Sequence, residues 1–146
     1  FKNVEIKESF FNDEKSNIDI FLEETSTGDF TVGASFESID GAVLVAGLDE
    51  KNIGGTGRSV SLNINTSDRN TLYSFNVKEP YFNNKKMNLI YGLKYQNNDY
   101  SKTSSYNLNS FTSNIGVEYA LIDDLLHNIS FSYELEDYVT PLSVSS

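Results

Sequence analysis

The chain has 146 residues, a length that suits one domain or a piece of a larger protein, and a formal net charge of −10. This negative charge repels nucleic-acid phosphates, and the longest basic run is only Lys85-Lys86, so we expect no nucleic-acid partner. The chain has no cysteine and a single histidine, His127, which excludes disulfides and thiolate metal sites. We therefore expect neither a metal site nor a cofactor.

Residues 1 to 28 differ from the rest of the chain. They contain two short strand-like runs around a charged turn, and in the second run Ile18, Ile20 and Leu22 alternate with more polar neighbours. We interpret this segment as the end of a small module, with "TSTG" linking it to the rest of the chain.

Seven runs with a period of two come after this segment, which is typical of strands with one apolar face. The first run, "DFTVGASFES", predicts Phe30, Val32, Ala34 and Phe36 on one side. The second, "AVLVAGLDE", alternates only weakly because its valines oppose its other apolar residues. The remaining five runs are "RSVSLNINT", "TLYSFNVKE", "MNLIYGLKYQ", "SFTSNIGVEY" and "HNISFSYELE".

Turn signals separate these runs. "SIDGA" and "TSDRN" predict tight hairpins, and "YQNNDYSKTSSYN" predicts the longest polar connection. "NIGGTG", "EPYFNN" and "ALIDDLL" predict turns at the opposite ends of the strands. Turns that lie alternately at the two ends of successive strands are typical of an antiparallel sheet.

The pattern favours a membrane barrel over a soluble β-sandwich binding domain, which remains the alternative from another class. The strands are about ten residues long, as needed to cross a bilayer at a tilt. Their polar faces carry small uncharged residues, and tyrosines lie near predicted strand ends, at positions 73, 95, 119 and 133. The predicted lipid-facing residues are Leu62, Phe75, Leu89, Tyr91, Val117 and Phe131.

Seven strands are too few for a bacterial barrel, whose strand number is even and starts at eight. The chain also begins at Phe1 in the middle of a pattern, and its only methionine is Met87. We therefore expect a fragment whose missing strands lie C-terminal.

No motif predicts catalysis. In "NIGGTGRSV", Arg58 follows Gly57 and a period-two run comes next, whereas a phosphate-binding loop requires a lysine and a helix. Most carboxylate pairs lie at strand ends or turns. Glu134 and Glu136 share one strand face, but no nucleophile or base accompanies them. We expect that the protein is not an enzyme.

Three segments, "EETSTGDFTVGASFES", "DGAVLVAGLDEKNIGGTG" and "NVKEPYF", resemble the BamA family of outer-membrane assembly factors. The resemblance covers nearly the whole chain. Its most specific parts are "TG-x-F-x-x-G" and two turn motifs, which comprise Gly55, Thr56 and Gly57 and then Pro80, Tyr81 and Phe82. Glu79 departs from the family pattern, in which Asn precedes "PYF".

The resemblance implies that residues 1–27 are the C-terminal end of the last periplasmic POTRA module. Residues 28–146 would then be the N-terminal part of a sixteen-stranded barrel in the outer membrane of a Gram-negative bacterium. The first strand would run outward, which puts "SIDGA", "TSDRN" and the longest connection outside the cell. "NIGGTG", "EPYFNN" and "ALIDDLL" would be periplasmic turns.

The resemblance also implies an insertase that folds β-barrel proteins into the outer membrane through a lateral seam. Its partners would be outer-membrane lipids, unfolded outer-membrane proteins as clients and lipoproteins of an assembly complex. The seam edge would consist of Phe30, Thr31, Val32, Gly33, Ala34, Ser35 and Phe36, with Gly33 weakening the strand's own pairing. A TamA-like or secretion-type transporter barrel is the alternative within the same ancestry.

Overall fold

A computed structural model of the chain describes residues 2–12, 15–23, 25–122 and 125–140. In chain order the elements are β1 (Asn3–Asn12), β2 (Lys15–Glu23), β3 (Gly28–Glu37), β4 (Gly41–Glu50), β5 (Ser59–Thr66), β6 (Asn70–Glu79), β7 (Met87–Asp99), a one-turn helix α1 (Ser101–Ser104), β8 (Asn107–Ile122) and β9 (Leu125–Val139). Short 3-10 turns at Ile53–Gly55 and Phe82–Asn84 complete the described structure.

The first two strands form a hairpin with a sheet of its own. β1 pairs antiparallel with β2, from Asn3 opposite Glu23 onward, and the two strands join no other strand among the described residues. Exposed charges line it, with Lys2 Nζ 2.9 Å from Glu23 Oε1. The two-stranded sheet ends at Glu23, and the larger sheet begins at Gly28. The assignment of residues 1–27 to a POTRA module stays a prediction.

The other seven strands form one antiparallel sheet in the order β3-β4-β5-β6-β7-β8-β9. Every strand pairs with its neighbours in sequence, so the sheet is a meander without crossovers. This confirms the predicted fold class, an all-β chain with seven antiparallel strands. The turn between β8 and β9, at residues 123–124, and the C-terminal residues 141–146 lie outside the described residues.

The register collects the apolar side chains on one face, here called the apolar face. One cross-strand row runs through Phe30, Leu48, Leu62, Phe75, Leu93, Ser113 and Tyr133, and the next through Val32, Ala46, Ile64, Tyr73, Tyr95, Phe111 and Leu135. Because side chains alternate along a strand, matched registers add one strand's apolar stripe to the next. The result is a continuous apolar surface, most of it exposed.

The opposite face, here called the polar face, carries small and polar side chains. Its central row runs through Thr31, Gly47, Asn63, Ser74, Lys94, Thr112 and Glu134. Asn98 and Ser110, which lie on this face, are among the few buried residues of the described chain. Gly92 leaves space for carboxamides from both neighbouring strands, since a Cβ at this position would lie 2.9 Å from Asn114 Oδ1.

The last three strands are longer than their sequence runs. β7 continues to Asp99 and β8 already begins at Asn107, so the connection expected over residues 95–107 shrinks to residues 100–106. Asparagine side chains link the two strand ends, because Asn97 Nδ2 donates a short hydrogen bond to Asn109 Oδ1. β9 spans Leu125–Val139, which places Tyr133 in the middle of the strand and corrects its predicted position near an end.

Candidate functional site

The outer edge of β3 is the first part of the candidate site. β3 pairs with β4 over its whole length, from Gly28 opposite Glu50 to Glu37 opposite Gly41. Among the described residues no strand pairs with its other side. Along this edge Phe30, Val32 and Phe36 are 75%, 68% and 81% exposed. The seven predicted edge residues therefore lie on a strand that offers backbone hydrogen-bonding groups and apolar side chains together.

Gly33 has a packing role that its sequence context does not indicate. It lies opposite Val45, and a Cβ at Gly33 would be 2.9 Å from Val45 Cγ2. The glycine thus leaves room for a valine that projects onto the polar face. This accounts for Val45, one of the two valines that weaken the alternation of β4, because Val45 fills the space that Gly33 leaves.

The start of β3 is held against the end of β4 by a group of hydrogen bonds that no sequence motif indicates. The Thr27 hydroxyl donates a short bond to Glu50 Oε1, which also accepts the Asn52 amide at 2.9 Å. The Lys51 amide donates to the Thr27 carbonyl oxygen at 3.1 Å. In the sequence Glu50 resembles a solvated charge, since its partner lies 23 residues earlier and becomes visible only in the register.

The two family turn motifs lie side by side. Within the first, the Gly57 amide donates to Asn52 Oδ1 at 2.6 Å, and φ is +60° to +74° at Gly54, Gly55 and Gly57. A Cβ at Gly57 would lie 3.3 Å from Pro80 Cγ, so the first motif packs against the second. The glycines therefore shape the backbone of a turn, as the sequence predicts, and permit close approach of the next turn.

An ion pair joins the same two turns. Arg58 Nη2 lies 2.7 Å from Glu79 Oε1, and the Glu79 side chain is only 25% exposed. Glu79 is the residue at which the sequence departs from the pattern of the family that it resembles. Its carboxylate has a specific partner here, so the departure is matched by a basic residue in the neighbouring turn.

The six predicted lipid-facing residues all lie on the apolar face. Leu62 and Phe75 are directly opposite each other, as are Leu89 and Val117, while Tyr91 and Phe131 both lie opposite Ile115. Phe131, on the outermost strand β9, is 67% exposed. The structure brings this set together on one surface and places the turn motifs at its end.

At the opposite end of the sheet, the three connections at residues 38–40, 67–69 and 100–106 contact one another or the neighbouring strands. The Asp68 amide donates to the Asp40 carbonyl oxygen at 3.1 Å, and the Asp99 amide donates to the Arg69 carbonyl oxygen at 2.7 Å. Within the 100–106 connection the Tyr100 and Tyr106 rings lie 5.2 Å apart, and Tyr106 lies 5.8 Å from Tyr138 on β9. This aromatic cluster fixes the longest connection against the sheet.

The carboxylates considered for catalysis have structural partners. Glu134 Oε1 accepts a hydrogen bond from Thr112 at 3.2 Å, and Glu136 Oε2 accepts one from Tyr138 at 2.8 Å. Across residues 2–12, 15–23, 25–122 and 125–140, no group of three or more acidic or histidine side chains could hold a metal ion. None of the helices in these ranges is long and apolar enough to cross a membrane.

Comparison with known proteins gives two findings. Residues 52–141, more than half of the chain, match the sequence profile of the Omp85 superfamily domain. The crystal structure of BamA from Haemophilus ducreyi lacking POTRA domains 1–3 is similar with a TM-score of 0.73 and 19% sequence identity, over 94% of this chain and 27% of that chain. No curated protein matches.

The structural similarity shows that the seven-stranded sheet has the fold of part of a BamA barrel. The chain spans about a quarter of the length of that structure, since the match covers 27% of it. The matched profile and the fold together describe a β-barrel protein of the bacterial outer membrane. The chain belongs to the Omp85 superfamily.

Proposed function

We propose that the chain is the beginning of the barrel of an outer-membrane insertase, which folds β-barrel proteins into the membrane through a seam at β3. The observation that carries this proposal is the edge of β3, which is long, apolar and paired on one side only among the described residues. This edge agrees with the assignment of the chain to the Omp85 superfamily. No step of this function makes or breaks a covalent bond, so the proposed role is not that of an enzyme.

The proposed mechanism is β-augmentation. An unpaired edge presents amide and carbonyl groups that an incoming strand can pair with, and in a bilayer each unpaired group costs several kcal/mol. A client strand that pairs with β3 removes this cost for both partners. The exposed side chains of Phe30, Val32 and Phe36 would contact the lipid chains beside the client.

The orientation follows from the hairpin β1–β2. We assign it to the end of the last POTRA module in the periplasm, so that β3 runs outward. The turns at residues 51–58 and 80–86 then lie at the periplasmic surface, and those at residues 38–40, 67–69 and 100–106 lie outside. The partners are unfolded outer-membrane proteins as clients, lipids, and lipoproteins of an assembly complex.

Photo-crosslinking of the full-length protein tests the seam. A benzoyl-phenylalanine at Phe30 should capture clients during assembly. The same group at Phe75 should not, although Phe75 lies in the same cross-strand row, because β6 is paired on both sides. Equal capture at both positions would contradict a seam at β3.

A disulfide lock tests whether the seam must open. The 146 residues contain no cysteine, so Ser35→Cys supplies the only thiol of this segment, and a second thiol is placed on the last barrel strand. Oxidation should stop barrel-protein assembly. The matched control, Ser35→Cys with Val43→Cys, joins residues that are already opposite each other and should leave assembly intact. Assembly that continues with the seam locked would remove this mechanism.

A further inference from the structure

A shallow groove of about 290 Å³ crosses β5, β6, β7 and β8 on the apolar face. Its apolar lining is formed by Leu62, Ile64, Phe75, Leu93 and Phe111, and two tyrosines complete it. Asn63, Ser74 and Lys94 also border the groove, but they alternate with these residues along the strands, so their side chains belong to the polar face. The side chains that an occupant of the groove would meet are therefore apolar or aromatic.

The two tyrosines of the groove, Tyr73 and Tyr95, form an aromatic platform. They lie directly opposite each other on β6 and β7, with ring centroids 6.2 Å apart and ring planes inclined by 26°. The rings remain 47% and 40% exposed, so their faces are open to a ligand. An aromatic face carries partial negative charge and attracts the polarised C–H groups of a sugar ring.

The next row of the same face is polar and marks where the apolar groove ends. It runs through Thr66, Thr71, Asn97, Asn109 and Asp137. The row lies two residues beyond the tyrosines, which is about 7 Å along a strand. Four of these five side chains are uncharged, and the fifth is a carboxylate, which repels phosphate. The row therefore suits a head group rich in hydroxyls better than an anionic one.

Two carboxamides in this row leave hydrogen-bonding groups open. Asn97 Nδ2 donates to Asn109 Oδ1, which also accepts the Tyr95 hydroxyl at 3.5 Å. Asn97 Oδ1 and Asn109 Nδ2 form no hydrogen bond with any residue that the structure describes. The pair thus offers one free acceptor and one free donor beside the aromatic platform. A hydroxyl group, which both donates and accepts, matches this combination.

We propose that this surface binds one glycolipid of the outer leaflet. An acyl chain lies in the groove, a sugar ring lies on Tyr73 and Tyr95, and the sugar hydroxyls bond to the open carboxamide groups. The order of apolar, aromatic and neutral polar side chains along the strands matches the order of the parts of such a lipid. The inference rests on the orientation given under Proposed function, which places the 67–69 and 100–106 connections outside. It adds a lipid site that is separate from the seam strand β3.

Native mass spectrometry of the full-length protein tests this site. The protein is released from phosphatidylcholine nanodiscs that contain equal amounts of lipid A, an acylated glucosamine disaccharide, and phosphatidic acid, which has a phosphate but no sugar. We expect lipid A to be retained preferentially. Asn97→Leu with Asn109→Leu keeps the groove and removes the open hydrogen-bonding groups. This variant should retain lipid A about tenfold less, because each lost hydrogen bond weakens binding roughly two- to twelvefold.

Tyr95→Leu tests the aromatic platform in a variant that leaves the bond between the two carboxamides in place, and it should also retain less lipid A. Tyr133→Leu is the matched control, since Tyr133 lies on the same face but does not line the groove. Its retention should equal that of the unchanged protein. Heat-modifiable gel mobility shows whether each variant is folded, and Tyr95→Leu decides alone if the double variant is not.

Three results would overturn the proposal. Tyr133→Leu loses as much lipid A as Tyr95→Leu, or the folded variants at the site lose none, or the unchanged protein retains phosphatidic acid as well as lipid A. No client is present, so the result is independent of insertase activity.

Discussion

Gly33 lies directly opposite Val45, and the space of its missing side chain is taken up by a γ-methyl group of that valine. The glycine of the proposed seam strand is therefore part of a packed pair on the polar face of the sheet. This pairing gives Gly33 a function that does not depend on any weakness of the strand.

Gly33→Ala should destabilise the protein because the added methyl group would meet Val45 Cγ2 at 2.9 Å. Overpacking of this kind costs about 1–3 kcal/mol. Val45→Ala in the same chain should recover a large part of the loss, which urea titration of the folded protein in lipid vesicles would measure. If the two effects simply add, the contact between these residues is not what requires a glycine.

The Arg58–Glu79 ion pair should show measurable coupling. Partly exposed pairs contribute about 0.2–1 kcal/mol, and salt screens them. A double-mutant cycle with Arg58→Gln and Glu79→Gln, followed by urea unfolding at low and high salt, should give a coupling that falls as salt is added. The Lys51–Asp29 pair is longer, at 3.7 Å, and both its side chains are more exposed, so its coupling should be smaller. A coupling at Arg58 no larger than this control would contradict the role given to the pair.

Charge on the two faces of β6 should have unequal effects. Phe75 lies in the middle of the strand on the apolar face, and its neighbour Ser74 lies on the polar face. Phe75→Arg should cost about 2–4 kcal/mol in a bilayer, whereas Ser74→Arg should cost far less. Folding yields into vesicles, read from heat-modifiable gel mobility, would measure both. Equal losses would show that the apolar face does not contact lipid.

The tyrosine cluster should hold the 100–106 connection in place. Tyr106 contacts both Tyr100 and Tyr138, so Tyr106→Ala should remove two ring contacts worth about 0.5–1.5 kcal/mol each. Amide hydrogen exchange should then speed up over residues 100–106, while β5 and β6 stay protected. Tyr106→Phe, which keeps the ring, should exchange like the unchanged protein. Faster exchange in that variant would assign the effect to the hydroxyl.

The number of strands and their two faces could be predicted from the sequence because both depend on a local period of two. The strand ends could not. Asparagine favours turns by propensity, so residues around Asn97 and Asn109 predict a loop, yet their carboxamides bridge neighbouring strands. A sheet with partners on both sides extends strands past the point where local propensity would end them.

The contacts around the turns could not be predicted either. Thr27 and Glu50 are 23 residues apart, and Arg58 and Glu79 are 21 residues apart. Such pairs become visible only once the strand register is known. The same holds for a groove beside Lys86, whose lining comes from the 80–86 turn and the ends of β7, β8 and β9. Sequence motifs indicate where the turns lie, and the register determines what they contact.

The meander order of the sheet has a consequence for how the chain folds. Each strand from β3 to β9 closes onto its sequence neighbour, so every pairing needs only a short loop and a small loss of chain entropy. A strand that follows β9 in the same protein and pairs with the outer side of β3 must instead close a loop around the whole meander. Low contact order favours the early pairings, so this remote pairing should form last. The strand order alone thus makes pairing at the outer side of β3 the slowest step in completing the sheet.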